Sequence, residues 1–235
     1  MDSDHASPPP VARSRGRRAG VRKGDADTRV RLLDAAERSF ALHGFDGVTV
    51  RLIARDAAVD TALVYYYFAS KRDLFDQVFE RRADVVNRDR FVSLEAYDLA
   101  PGPDGPTVEG VFDAFLRPVL QRAADGDPGW RSYFAILALV NNTPAWGGET
   151  MTRFFDPVIQ RLAQSLRKAL PQLREDDLYW SYHFLSGALT LSLSMTGRID
   201  RLSGGVCDSG DFTAINARLA RFAAGGLLKV ATRGD

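Results

Sequence analysis

The chain has 235 residues, room for one large helical domain or for a small domain followed by a larger one. Hydrophobic residues make up 45% and charged residues 26%, ordinary for a soluble globular protein with enough apolar material for a core, so neither disorder nor disulfide stapling need be invoked. The formal net charge is +1, and a single cysteine, Cys207, excludes an intramolecular disulfide and any thiolate metal cluster built from this chain alone. No apolar run reaches the roughly 18–20 residues that a bilayer span needs, and the polar N-terminus lacks the apolar middle of a secretion signal. A cytoplasmic protein with no membrane partner is expected.

The charge is uneven along the chain. Arg13, Arg15, Arg17, Arg18, Arg22 and Lys23 stand between Val11 and Gly24 with no acidic residue among them, whereas residues 25–79 carry slightly more acid than base. Residues 1–25, with three consecutive prolines and no apolar periodicity, read as a disordered basic arm. Such an arm is either a solvated tail or an attractor of phosphate beside a DNA-binding module.

Beyond the arm, Pro and Gly cluster at 101–106, 126–129, 141–148 and 203–210, and the segments between them have helical spacing without strand alternation. The pattern predicts an all-α chain of about nine helices. The first, over 27–43, carries Val30, Leu33, Ala36, Phe40 and Ala41 as an apolar stripe, with Asp25 or Asp27 as its cap and Gly44 as its left-handed terminator. A short helix over 50–57 follows, capped by Thr49 and turning inward Leu52, Ile53 and Ala57. After the turn at Ala57-Ala58-Val59, Asp60 caps a third helix over 61–68. A long fourth helix, from Lys71 to about Phe91, presents Leu74, Phe75, Val78 and Phe79 on one face.

Two short helices joined by a tight turn and backed by a longer one make a helix-turn-helix candidate, whose second helix would enter a DNA major groove. Spacing alone is also met by helical hairpins that never touch DNA. The residues are more specific. Gly44-Phe45-Asp46-Gly47-Val48-Thr49-Val50-Arg51-Leu52-Ile53-Ala54, then Ala57-Ala58-Val59-Asp60-Thr61-Ala62-Leu63-Val64-Tyr65-Tyr66-Tyr67-Phe68, and Ser70-Lys71-Arg72-Asp73-Leu74-Phe75 together resemble the DNA-binding domain of the TetR family from about Val30 to Phe79. Three positions depart from the usual pattern: Ala58 for Gly, Asp60 for Ser and Tyr67 for His.

The resemblance implies a DNA-reading domain over 26–79, and the residue chemistry suggests roles within it. Thr49 offers its hydroxyl and nearby backbone N–H groups to a phosphate. Arg51 either reaches a guanine edge or contacts phosphate. Thr61 and Ala62 lie at the tip of the recognition helix, small enough for close approach to base edges. Tyr65 and Tyr66 carry hydroxyls able to reach phosphate or bases, while Val64 and Phe68 fit core packing. Lys71 looks like the family's phosphate clamp.

Residues 80–235 show no catalytic constellation. The three histidines, His5, His43 and His183, have no metal-ligand spacing, and there is no phosphate loop or nucleophile elbow. No enzyme, no metal and no cofactor is expected, and His183 reads as a hydrogen-bonded interior residue. Aromatic and apolar residues line three helices here, and Pro118 and Pro157 should kink or start theirs, leaving room for a cavity. The stretch from Phe155 to Met195 resembles the C-terminal regulatory domain of one branch of the family, through Phe155-Asp156-Pro157-Val158, the 166–171 segment and the 180–188 segment. That likeness implies a pocket for a small effector, expected to be apolar or amphipathic, with Phe112, Phe115, Tyr133, Leu137, Asn141, Phe155, Ile159 and His183 as its candidate lining.

The last two helices, over 176–196 and 212–230, read as a homodimer surface. The first is apolar nearly all round, with small residues Ser186, Gly187 and Ala188, and the second repeats Phe212, Ile215, Leu219 and Phe222. The expected function is a TetR-like repressor that holds a palindromic double-stranded DNA operator as a dimer and lets go when an effector binds. The competing reading is a helical small-molecule-binding protein without DNA function.

Overall fold

A computed structural model describes residues 23–231, with side chains from residue 26 onward. The basic residues from Arg13 to Lys23, and His5, therefore lie outside the described side chains. The described residues form ten α-helices and no strand: α1 Lys23–Gly47, α2 Val50–Asp56, α3 Thr61–Tyr67, α4 Lys71–Leu99, α5 Val108–Ala124, α6 Pro128–Asn141, α7 Gly147–Ala169, α8 Glu175–Leu193, α9 Arg198–Leu202 and α10 Phe212–Ala231.

Caps set most of the boundaries. The side chains of Thr49, Asp60, Ser70, Thr107 and Asp127 accept backbone N–H bonds from Leu52, Ala62, Asp73, Gly110 and Gly129, covering donors that have no intrahelical partner. Helix α1 breaks at Gly44, whose φ of 69° lies in the left-handed region. Its start differs from expectation: the helix runs back to Lys23, so positions 25 and 27 fall inside it rather than at its N-cap, and Asp27 pairs with Arg31 one turn on, at 3.9 Å. Helix α4 continues eight residues past Phe91 to Leu99, since no Gly or Pro intervenes before Pro101. Pro118 and Pro157 lie inside α5 and α7, and neither starts its helix.

One core runs through the molecule. Helix α1 packs on α2, α4 and α6; α4 packs also on α5 and α7; α5 packs on α10, and α8 on α6 and α10. The buried stripe of α1 is set by Leu32, Leu33, Ala35, Ala36 and Phe40, and Val30 is half exposed rather than part of it. In α2 and at the residue that ends it, Ile53, Ala54 and Ala57 are buried while Leu52 is only half-buried. The row along α10 divides: Phe212 and Leu219 face the core, and Phe222 faces outward.

Two polar clusters pin α4 to its neighbours. Glu37, buried on α1, accepts from Arg81 at 2.8 Å and from Arg82 at 2.7 Å, and Arg82 also lies 4.8 Å from the Trp130 ring of α6. Near the other end, Asp98 accepts from Arg161 at 2.8 Å and Lys168 at 2.7 Å, both on α7. Burial alone would raise the Asp98 carboxyl; the two cations outweigh it and hold the group below the usual carboxylate range.

Candidate nucleic-acid interface and the core behind it

Helices α2 and α3 present two different faces. Inward, Ile53, Ala54, Ala57, Val64 and Phe68 are buried. Outward stand Thr49, Arg51 and Ala62, all exposed, with Tyr65 and Tyr66 at 58% and 73% exposure. Thr61 is half-buried at the tip of α3. Two phenols and a guanidinium left in water on a seven-residue helix and its neighbour are not there for packing. Val64 and Phe68 hold α3 to the body, three and seven residues after Thr61, so the N-terminal tip of α3 and its tyrosines stand on one surface.

The turn between the two helices is tight and strained at one residue. Ala58 and Val59 donate back to Arg55 and Ala54 at 3.1 and 3.0 Å, and Ala58 has a φ of 53°. A Cβ there costs about 1 kcal/mol that glycine would avoid. The Asp60 carboxylate is committed to its capping bond with Ala62 N–H at 2.7 Å. Lys71 does not extend freely from α4: its Nζ donates to Val48 O at 2.9 Å and lies 4.3 Å from the Phe45 ring. An ammonium has three donors, so Lys71 fixes the segment leading into α2 and keeps two for another acceptor.

The α6–α7 connection touches this unit directly. The indole of Trp146 packs edge-on against Phe45 at 5.5 Å and Phe75 at 5.4 Å. Arg72 lies over the same indole at 4.9 Å and donates to Thr150 at 2.7 Å, and Asp76 pairs with Arg153 of α7 at 3.1 Å. The start of α4 and the start of α7 are therefore tied through Arg72, Asp76 and Trp146. Sequence reasoning did not single out Trp146, Arg72 or Glu37; polar residues inside an amphipathic pattern give no local sign of their partners.

Behind the interface, Phe115, Leu137, Phe155 and Ile159 lie together with Arg90, Met151, Tyr182, Leu185, Ser186, Leu189 and Thr190 around a void of about 20 Å³. That holds about one water. The other four candidates lie elsewhere. Phe112 is buried in the core away from the void. Tyr133 is buried among Phe79, Trp130 and Phe134, and its hydroxyl has no hydrogen-bond partner. Asn141 touches the void's edge only through Thr190, 3.4 Å away. His183 is a correction: it is exposed, with its ring against Trp180 and Phe184, because α8 turns that face outward. A larger cleft of about 490 Å³ lies between the end of α8, α9 and the start of α10, and none of its walls belongs to α4 or α7. Among the described residues no group of His, Cys, Asp and Glu is placed to hold a metal, and no helix is long and apolar enough to cross a membrane.

Residues 32–78, the unit just described, match the family profile "Bacterial regulatory proteins, tetR family", and residues 113–226 match "Tetracyclin repressor-like, C-terminal domain". The chain belongs to the TetR family. Among curated TetR-like relatives, the transcriptional repressor NicS of Pseudomonas putida is 42% identical over 65 residues, and the regulator BetI of Agrobacterium fabrum 38% over 63; each match takes in 27% of this chain. These matches span about a third of the relatives' own length, 31% in each case. The fold of the whole is shared with solved structures. The fatty acid degradation regulator FadR from Bacillus halodurans superposes with a TM-score of 0.60 at 16% identity, over 85% of this chain and 96% of its own. A TetR-like regulator from Rhodococcus superposes with a TM-score of 0.57 at 22% identity, over 86% of this chain and 97% of its own. TetR-family proteins are transcriptional regulators rather than enzymes.

Proposed function

We propose that this TetR-family chain is a transcriptional repressor that binds a palindromic operator as a homodimer and releases it when a small apolar or amphipathic effector binds. The observation that carries the reading is the mounting of α3: Val64 and Phe68 are buried, and Ala62, Tyr65 and Tyr66 are left in water beside Arg51. In this reading residues 26–79 are the DNA-binding domain and 80–235 the effector and dimerisation domain. Thr49, with the two spare donors of Lys71, grips phosphate; Arg51, Thr61 and Ala62 meet base edges; and Tyr65 and Tyr66 reach phosphate or bases. Acting on chromosomal DNA, the protein works in the cytoplasm.

The dimer is supported by an apolar face that this chain leaves open. On α8, Trp180, Phe184 and Leu191 are 59%, 64% and 69% exposed, at spacings of four and seven, and on α10 Phe222 is 77% exposed. Gly187, Gly225 and Gly226 lie on the same two helices with nothing within 4 Å of where a Cβ would stand. Contiguous exposed aromatics beside small residues suit helices that close on a second copy. A two-fold pair of this kind carries two recognition helices and reads two symmetric half-sites.

Release follows from the join between domains. An effector that parts α7 from α4 shifts Trp146 and Thr150 against Phe45, Phe75 and Arg72, and so tilts the reading unit. It frees DNA only to the extent that it binds the DNA-incompetent arrangement more tightly. Sedimentation, followed by selection of bound fragments from genomic DNA, tests the whole reading. A dimer that selects a palindrome supports it; a strict monomer, or a protein that enriches no fragment, overturns it.

A further inference from the structure

The void between α4, α5, α6, α7 and α8 is lined mainly by apolar side chains, with Tyr182, Ser186 and Thr190 of α8 and one buried cation among them. Arg90 is only 4% exposed, on the helix whose first turns complete the DNA-reading unit. Its Nε donates to Phe115 O at 3.2 Å, and the guanidinium lies 4.0 Å from the Phe115 ring. Among the described residues no carboxylate pairs with it. Asp89, next to it in the chain, is taken by Arg122 at 2.8 Å, and Asp156, close enough to act on Tyr182, is exposed. Elsewhere on α4 the partly buried arginines are paired: Arg81 and Arg82 with Glu37, and Arg72 with Asp76.

A buried charge without a partner is costly, and a chain that needed only packing here would place Leu or Met. Burial pulls the Arg90 pKa down to about 10, which still leaves it charged at neutral pH. The groups that sense it are two phenols, Tyr133 and Tyr182, both pushed up by burial, and the Tyr133 hydroxyl has no partner of its own. A planar, bidentate donor is thus held at the wall of the void with no carboxylate among the described residues paired to it.

We infer that the effector is an apolar molecule carrying a carboxylate, and that its headgroup pairs with Arg90 while its body enters between Phe115, Leu137, Phe155 and Ile159. The inference rests on the proposed effector reading and names its ligand class. At about 20 Å³ the void is too small for such a body, so entry spreads α7 and α8 from α4. Arg90 stands 19 residues after Lys71 on one continuous helix, about 28 Å along it. Pairing at Arg90 therefore biases a rod whose far end is tied to Trp146, Thr150 and Val48.

The test is binding to the full chain, by calorimetry and thermal shift, of octanoate and 4-phenylbutyrate against their alcohols, octanol and 4-phenylbutanol, and against octylamine. The carboxylates should bind at least about tenfold more tightly than the alcohols, and the amine should not bind. Arg90→Met should erase that preference while keeping or improving binding of the alcohols. Arg90→Lys keeps the charge without the fork and should retain a reduced preference, which keeps the test readable if Arg90→Met does not fold. Equal binding of acid and alcohol, an unchanged preference in Arg90→Met, or no binding by any probe overturns the inference. If alcohols or amines bind best and release DNA, the carboxylate assignment fails and the effector reading stands. If carboxylates bind through Arg90 without loosening DNA, the assignment stands and the effector reading fails.

Discussion

The three N-terminal helices and the helices behind them put their polar residues to opposite use. In the first region the informative side chains, Arg51, Tyr65 and Tyr66, are in water, and each sits on a helix held by buried apolar residues within three positions of it. In the second region they are enclosed: Arg81 and Arg82 of α4 close on the buried Glu37 of α1, Arg90 faces the void, and Asp98 is held by two cations. Exposed groups can change without disturbing the fold, whereas buried ones are bound up with it. Affinity and stability should therefore respond separately in the two regions.

Glu37→Ala strikes the buried side hardest. It leaves Arg81 and Arg82 without their shared partner and should cost about 3 kcal/mol in denaturant unfolding, enough to test whether α1 and α4 stay docked. Arg51→Ala sharpens the contrast from the exposed side: melting temperature unchanged, operator binding weakened by about 1–3 kcal/mol in anisotropy titrations. If only one base position loses its preference, Arg51 reads a base edge; if all sequences weaken alike and the salt slope falls by about one, it holds a phosphate.

Asp98→Asn should be milder and dependent on pH. The native carboxyl titrates below its ordinary 3.8, so the native state holds fewer protons than the unfolded chain, and the stabilisation is complete at neutral pH. It is lost as pH falls through the lowered native value. The variant should be about 1 kcal/mol less stable than the parent at pH 7, and the two should converge in acid when melts are compared across pH 7 to 3. The smallest effect belongs to Ala58→Gly, which relieves the positive φ. Part of the gain is offset by the freer unfolded chain, leaving about 0.5 kcal/mol of added stability and DNA binding unchanged.

The same contrast explains what could be read from the sequence. Thr49, Asp60 and Ser70 act on N–H groups two or three residues away, so their capping roles are written in local spacing, as is the burial of Val64 and Phe68. The lining of the void is not. Phe112 and Phe115 are three apart on one helix and both are buried, yet only Phe115 reaches it. His183 looks interior by composition, but α8 is apolar on two faces and the histidine is on the outer one. Arg90 did leave a trace: it follows Val86 by four and precedes Leu94 by four, in phase with the buried stripe of α4, where an arginine is out of place.

The three tryptophans happen to divide the molecule's events among them. Trp146 sits where the reading unit meets the body, Trp130 lies 4.8 Å from the Arg82 guanidinium in the core, and Trp180 is on the open face of α8. Each indole emits according to its own surroundings, so chains retaining one tryptophan apiece would report three processes by colour alone. Self-association would shift the band of Trp180 to the blue, effector entry would alter Trp146 through the cation and rings around it, and only unfolding would expose Trp130. The order in which these signals change after mixing would time the switch without any attached dye.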